Sequence, residues 1–188
     1  MNLIILGPQG SGKGTQAKLL AEKFGLKHIS SGDLLREEAK SGSEKGILIG
    51  KVLANGELVP FETLTDLLEP AILNSKSGFI LDGTPRDIRQ AEYLNYFLNE
   101  HHFNIDKVIL LQIPREISLQ RLAKRAEIEN RADDTPESIN ERLSIYEEET
   151  LPVIEHYRRQ GILLEIDGTP DIQTIFADIV TKLESQND

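Results

Sequence analysis

Short apolar runs recur along the chain, and each ends at glycine, proline or an Asp-Gly pair. Continuous apolar runs of this kind are typical of strands that are buried on both faces in a parallel sheet. Four of them predict strands, at Leu3–Leu6, Phe79–Leu81, Val108–Ile113 and Ile162–Ile166. Lys27–Ile29 is a candidate fifth strand, although it is too short to assign alone.

Between these runs the apolar residues follow a helical spacing. In the first such segment Ala17, Leu20, Ala21 and Phe24 fall on one helix face. The spacing predicts helices at 13–24, 86–100, 117–128, 137–160 and 172–183. This alternation predicts an α/β fold in which helices flank a central five-stranded parallel sheet.

Two prolines refine the longest of these helices. Thr135 precedes Pro136, a pair that fits an N-cap followed by proline in the first turn. Pro152 lies inside the 137–160 pattern, where proline removes a backbone hydrogen bond, so we expect a kink or a break there.

The glycine-rich segment Gly7-Pro8-Gln9-Gly10-Ser11-Gly12-Lys13-Gly14-Thr15 joins the first strand to the first helix. Glycines allow backbone N–H groups to turn toward an anion, and a helix N-terminus adds partial positive charge. Lys13 can reach the β- and γ-phosphates of a nucleotide. The segment therefore predicts a nucleotide-phosphate site, but it does not determine the reaction.

Composition narrows the class of protein. The net charge of the 188 residues is −10, which argues against a general nucleic-acid binder. Cysteine is absent, which excludes disulfides and thiolate metal sites. Neither a membrane-spanning run nor a signal-peptide pattern is seen, so we expect a cytoplasmic protein with no membrane or nucleic-acid partner.

Further motifs follow the glycine-rich segment in a fixed order. They are Ile29–Arg36, Gly56–Pro60, Leu81-Asp82-Gly83-Thr84-Pro85-Arg86 with Gln90, Arg121–Arg125, Asn130–Asp134 and Glu141–Leu143. In this order and at this spacing they resemble the adenylate kinase family and its nucleoside monophosphate kinase relatives.

The resemblance implies a P-loop kinase with one domain over residues 1–188. It implies a helical monophosphate-binding insertion at 30–59 and a short lid at 125–135, both closing over the substrates. The implied reaction is reversible transfer of the terminal phosphoryl group of MgATP to AMP, giving two ADP, by a monomer. Mg²⁺ would arrive with ATP near Thr15 and Asp82, and the short lid without cysteine implies no zinc.

The resemblance also assigns roles. The implied ATP-binding residues are Gly10, Ser11, Gly12, Lys13, Gly14, Thr15, Arg125 and Pro170. The implied AMP-binding residues are Ser31, Arg36, Glu57, Leu58, Val59, Gly83, Thr84, Pro85, Arg86, Gln90, Arg131 and Arg142. The implied catalytic residues are Lys13, Asp82, Arg86, Arg125, Arg131 and Arg142.

Arginine and aspartate suit these roles chemically. The planar guanidinium group binds phosphate oxygens in pairs, and phosphoryl transfer depends mainly on positioning and charge neutralisation. Arg121 and Arg125 share a helix face, but only Arg125 falls at the family position, so Arg121 is expected to support it. Asp82 fits both the water shell of magnesium and an ordinary Asp-Gly turn.

The identity of the acceptor rests on few residues. Ser31 and Gln90 favour AMP, because relatives that act on UMP or CMP usually have alanine in place of Ser31. A glutamine amide can both donate to and accept from an adenine edge. A UMP/CMP kinase of the same fold and a P-loop nucleotide switch are the alternatives. Thr84 and Gln9 depart from the family pattern.

Overall fold

The central element is a five-stranded parallel sheet. The computed structural model describes residues 1–55, 57–129 and 135–185. The strands are β1 (Asn2–Leu6), β2 (Lys27–Ser30), β3 (Phe79–Asp82), β4 (Lys107–Gln112) and β5 (Leu163–Asp167), in the order β2-β3-β1-β4-β5. The predicted fold class and the short fifth strand are both confirmed.

Nine α-helices and one π-helical turn connect and cover these strands in the described ranges. They are α1 (Lys13–Phe24), α2 (Ser31–Ala39), α3 (Glu44–Ala54), α4 (Phe61–Leu73), α5 (Ile88–Glu100), α6 (Arg115–Glu129), α7 (Pro136–Ile145), the π-turn (Tyr146–Thr150), α8 (Leu151–Arg159) and α9 (Ile172–Glu184). Thr135 caps α7 by accepting a hydrogen bond from the Ser138 N–H, which confirms the predicted N-cap.

The expected break in the 137–160 segment is present as the π-turn, which ends two residues before Pro152, and the proline lies in the first turn of α8. Helix α4 was not predicted. Leu64, Leu68 and Ile72 are buried along it at a spacing of four, and this packing outweighs the cost of Pro70 inside the helix.

The side chains of β1 divide the core. Ile4 and Leu6 pack on the side covered by α4, α5 and α8, whereas Leu3 and Ile5 pack on the side covered by α1 and α9. Because helices cover both faces of the sheet, every residue from Leu3 to Leu6 is apolar. The carboxyl ends of the strands stay open, and the site lies there.

A smaller apolar cluster lies beside the sheet. Leu35, Ile49, Val59 and Leu64 form it, and they join α2, α3 and α4. This cluster is separate from the apolar clusters on the two faces of the sheet, so α2, α3 and α4 share a small hydrophobic core of their own. None of the described helices is long and apolar enough to cross a membrane.

Tyr157 offers a test of the packing of α8. Its side chain is fully buried in the core, and its hydroxyl has no hydrogen-bond partner among the described residues. Burial raises the pKa of this phenol. We expect Tyr157→Phe to increase the free energy of unfolding by about 1 kcal/mol, because the substitution removes a buried hydroxyl that lacks a partner. Urea denaturation at pH 7 measures the change.

The matched control is Tyr96→Phe, because Tyr96 is exposed. That substitution should leave stability unchanged to within about 0.5 kcal/mol. A clear loss of stability in Tyr157→Phe would show that the hydroxyl has a partner in solution.

Candidate active site

The glycine-rich segment forms a loop between β1 and α1. Gly10 and Gly12 have φ angles of +80° and +94°, in the left-handed region that favours glycine. A side chain at Gly10 would place its Cβ 2.8 Å from the Ser118 carbonyl oxygen. The Ser118 hydroxyl donates to the Gln9 carbonyl. Helix α6 therefore supports the loop from behind.

Lys13, the first residue of α1, folds back over this loop. Its ammonium donates to the carbonyl oxygens of Gly7 at 2.7 Å and Pro8 at 2.8 Å. Burial lowers the pKa of Lys13 to about 8, and the carboxylate of Asp82 partly opposes this effect. Nearby arginines lower the pKa further by repulsion. They are Arg86, Arg125 and Arg142.

A cavity of about 320 Å³ opens above the loop, within the size range of small-molecule sites. Most of the residues assigned to ATP by the sequence line it, namely Gly10, Gly12, Lys13, Gly14, Thr15 and Arg125. Ser11 and Pro170 do not line it. Ser11 is fully buried beneath the loop.

Asp82 and Gly83 close one side of this cavity. The Asp82 carboxylate is 3.5 Å from the His28 ring. Gly83 has φ +82°, and a Cβ there would meet the Ser31 hydroxyl at 2.7 Å, so the position requires glycine. The turn that needs glycine therefore also brings Asp82 to the wall of the cavity.

The residues present fit a magnesium ion that is held mainly by nucleotide phosphates. The described residues contain no cluster of three potential protein ligands. The carboxylate of Asp82 and the hydroxyl of Thr15 nevertheless line the same cavity. Oxygen donors in small number suit Mg²⁺ bound with its substrate.

A second, smaller cavity adjoins the first. Its lining contains most residues assigned to the acceptor, namely Ser31, Arg36, Glu57, Leu58, Val59, Gly83, Arg86, Gln90 and Arg142. Pro85 lines the larger cavity instead, and Thr84 is buried behind both. Arg131 lies outside the described residues.

The arginines near the acceptor are held by nearby oxygens. The Arg36 guanidinium lies 2.6 Å from a carboxylate oxygen of Asp33. The Arg86 side chain donates to the Gly83 carbonyl at 2.8 Å, and that of Arg142 donates to the Ser138 carbonyl at 3.2 Å. Arg36, Arg86 and Arg142 line both cavities, so they lie where two anionic ligands would meet.

Two residues make contacts at the site that the sequence pattern does not predict. Arg121 donates to the carbonyl oxygens of Gly168 at 2.8 Å and Thr169 at 3.0 Å while lining the larger cavity. The spacing of four residues between Arg121 and Arg125 places both on one helix face, which indicates that Arg121 lies near the same cavity. Thr150, at the end of the π-turn, donates to the Arg86 carbonyl at 2.8 Å, and no local pattern predicts that contact.

A phosphate loop at the open edge of a parallel sheet, beside an arginine-lined second cavity, defines a P-loop phosphotransferase. The family model described as Adenylate kinase matches residues 5–162.

Proteins named adenylate kinase are similar to this chain over nearly its whole length. One from Prochlorococcus marinus (strain NATL1A) is 42% identical over 96% of this chain and 97% of the relative. One from Xylella fastidiosa (strain 9a5c) is 40% identical over 97% of this chain and 99% of the relative. One from Xanthomonas campestris pv. campestris (strain B100) is 42% identical over 93% and 95%. The chain belongs to the adenylate kinase family, which confirms the family and the enzyme class predicted from its motifs.

The lowered pKa of Lys13 predicts proton uptake on ligand binding. At pH 8 about half of the free protein should carry a neutral Lys13. A bound polyphosphate favours the ammonium form, so it raises this pKa. We expect ADP, without magnesium, to bind at pH 8 with uptake of up to about half a proton per site. Affinity should fall as the pH rises above 8.

Isothermal titration calorimetry in two buffers of different ionisation enthalpy measures this uptake. Lys18→Met is the control, because Lys18 lines the same cavity and is exposed. That variant should retain the uptake. Binding without proton uptake at pH 8 would contradict the assignment.

The contacts of Arg121 predict a selective defect on the ATP side. Arg121→Met should raise the KM for ATP by about tenfold, because the 168–169 backbone loses two charge-assisted hydrogen bonds. The KM for AMP should stay within about twofold. Steady-state kinetics with each substrate varied measures both constants. Lys124→Met, an exposed change on the same helix, should alter neither constant, and an equal rise in both KM values for Arg121→Met would refute the selective effect.

Proposed function

We propose that this enzyme transfers the terminal phosphoryl group of MgATP reversibly to AMP, giving two ADP. The observation that carries the proposal is the junction of the two cavities. The phosphate loop lines one of them, Ser31 and Gln90 line the other, and Arg36, Arg86 and Arg142 line both. Cations shared between two ligand sites suit the transfer of a phosphoryl group from one ligand to the other.

The protein's part in the reaction is positioning and charge neutralisation. Lys13 and the N-terminus of α1 bind the donor phosphates, and Arg125 reaches them from α6. Arg36 and Arg86 hold the acceptor phosphate, while Arg142 closes on the transferring group. No covalent intermediate is required, since the acceptor phosphate oxygen attacks the terminal phosphorus of the donor directly.

Magnesium supplies charge neutralisation on the donor phosphates when it is bound. The carboxylate of Asp82 would orient the water molecules of the ion, and the hydroxyl of Thr15 lines the same cavity and would lie near it. Arg131 is part of the proposed catalytic set through the family motif alone.

Closure of two segments completes the proposal. Residues 30–59 contain α2 and α3, which line the proposed acceptor cavity, and residues 125–135 begin at Arg125. We assign them to the monophosphate-binding segment and the short lid, which would exclude water that otherwise hydrolyses ATP. The monomeric state and the cytoplasmic location remain predictions from the sequence.

We assign AMP as the acceptor of the phosphoryl group. Glu57, Leu58 and Val59 line the small cavity together with Ser31 and Gln90. The relatives that match along nearly the whole chain carry the name adenylate kinase, which favours AMP over CMP or UMP.

A specificity assay tests the function. Purified protein with ATP and magnesium should phosphorylate AMP faster than CMP or UMP, measured by quantifying the nucleoside diphosphates formed. Lys13→Met should lower kcat by a factor on the order of 10², because a phosphate-binding charge is lost. Diadenosine pentaphosphate, which spans both sites, should inhibit the wild type.

Any other result of the specificity assay would indicate a different function. Faster turnover of CMP or UMP would indicate a pyrimidine monophosphate kinase. Slow ATP hydrolysis without transfer to any acceptor would indicate a nucleotide switch. Full activity in Lys13→Met would overturn the mechanism.

A further inference from the structure

The hydroxyl of Thr150 makes a contact that leaves its own helical segment. A threonine in a helical segment commonly donates to the carbonyl three or four positions earlier in the same segment. The Thr150 hydroxyl instead donates at 2.8 Å to the carbonyl oxygen of Arg86, 64 positions away. Thr150 is buried, with 5% of its surface exposed. The one donor hydrogen of this hydroxyl is therefore committed to the turn that follows β3.

The Arg86 carbonyl needs a donor from elsewhere in the chain. Helix α5 begins at Ile88, and the first carbonyl to accept a hydrogen bond within it is that of the N-cap, Asp87, which accepts from the Ala91 N–H. The Arg86 carbonyl lies one position before the cap and so lies outside this ladder. A main-chain oxygen that is withdrawn from water requires a donor, and the Thr150 hydroxyl supplies one.

The helix that carries Thr150 is anchored in the core. Thr150 is the last residue of the π-turn and leads directly into α8. Val153, Ile154 and Tyr157 of α8 are buried in the apolar cluster on one face of the sheet. The residues that follow β3, by contrast, form an irregular turn before α5 begins. The hydroxyl therefore holds this turn against a fixed helix.

Arg86 carries the restraint into the site. Its backbone N–H donates to Gln90 Oε1 at 2.9 Å, and its side-chain Nε donates to the Gly83 carbonyl at 2.8 Å. The residue lines both cavities. Because its guanidinium is held close to its own turn, the position of the guanidinium depends on the position of the backbone at residue 86. A small displacement of a group that positions a substrate is costly for the reaction.

We infer that Thr150 is a positioning residue for the acceptor phosphate and acts by holding the backbone of Arg86. The inference rests on the proposed function, in which Arg86 binds that phosphate. Thr150 acts through Arg86 and requires no contact with either substrate. The donor phosphates bind at the loop between β1 and α1, which does not depend on this contact. Loss of the hydroxyl should therefore impair the use of AMP selectively.

Variants of Thr150 isolate the hydroxyl. Thr150→Val keeps the branched shape of the side chain but removes the donor, whereas Thr150→Ser keeps the donor. We expect Thr150→Val to lower kcat/KM for AMP by about tenfold, because the Arg86 carbonyl loses a donor and the turn shifts. The KM for ATP at saturating AMP should stay within about twofold of wild type. Thr150→Ser should bring kcat/KM for AMP to within about threefold of wild type.

Thr181→Val is the control for the loss of a helical hydroxyl. The Thr181 hydroxyl donates at 2.8 Å to the Ala177 carbonyl within α9, and neither residue lines either cavity. This variant should keep kcat/KM for AMP within about twofold of wild type. If Thr150→Val does not fold, Thr150→Ala and Thr150→Ser form a second pair, which differs by a single oxygen and makes the same comparison.

Two results would overturn the inference. One is a value of kcat/KM for AMP that is the same, to within about twofold, with and without the hydroxyl. The other is an equal loss for AMP and ATP, which would show a general distortion of the site. A wild type that uses CMP or UMP refutes the proposed acceptor instead, and the comparison is then made with that monophosphate, since all three share the phosphate. A wild type that phosphorylates none of them refutes the proposed function and the inference with it.

Discussion

The whole site depends on holding several cations close together before any anion arrives. Five arginines line one cavity together with Lys13. Burial is the main cause of the lowered pKa of this lysine, and repulsion from three of the arginines lowers it further. Main-chain carbonyl oxygens help to offset this repulsion, because they accept hydrogen bonds from Lys13, Arg86, Arg121 and Arg142.

The parallel sheet makes this arrangement possible. Its buried strands bring the loop after β1 and the turn after β3 to the same open edge. Gly83 lets that turn pass close to Ser31, and Asp82 and Arg86 reach the cavity from the two ends of the turn, four residues apart. The two cavities adjoin there because β1 and β3 are neighbouring strands.

The π-turn links the two sides of the site. It follows α7, which carries Arg142, and ends at Thr150, whose hydroxyl holds the Arg86 carbonyl. A π-turn inserts one extra residue into helical geometry, and such turns are frequent at functional sites. Tyr146, its first residue, lines the larger cavity, and burial raises the pKa of its phenol to about 12, so it stays neutral.

The sequence by itself determined those features of the fold and the site that depend on residues close together in the chain. Each of these features depends on neighbouring residues or on fixed spacing. They are the apolar runs that predict four of the five strands, the loop from Gly7 to Thr15 and the arginine motifs. Only the tertiary structure decided the contacts between residues that are far apart in the chain. Arg121 and Gly168 are 47 positions apart, and Thr150 and Arg86 are 64 apart, so no periodicity relates them. Helix α4 persists through Pro70 because its packing outweighs a local rule. The polarity of Gln90 likewise follows from which atoms of Thr84, Arg86 and Asp87 surround it, since the residue type allows both orientations and only packing selects one.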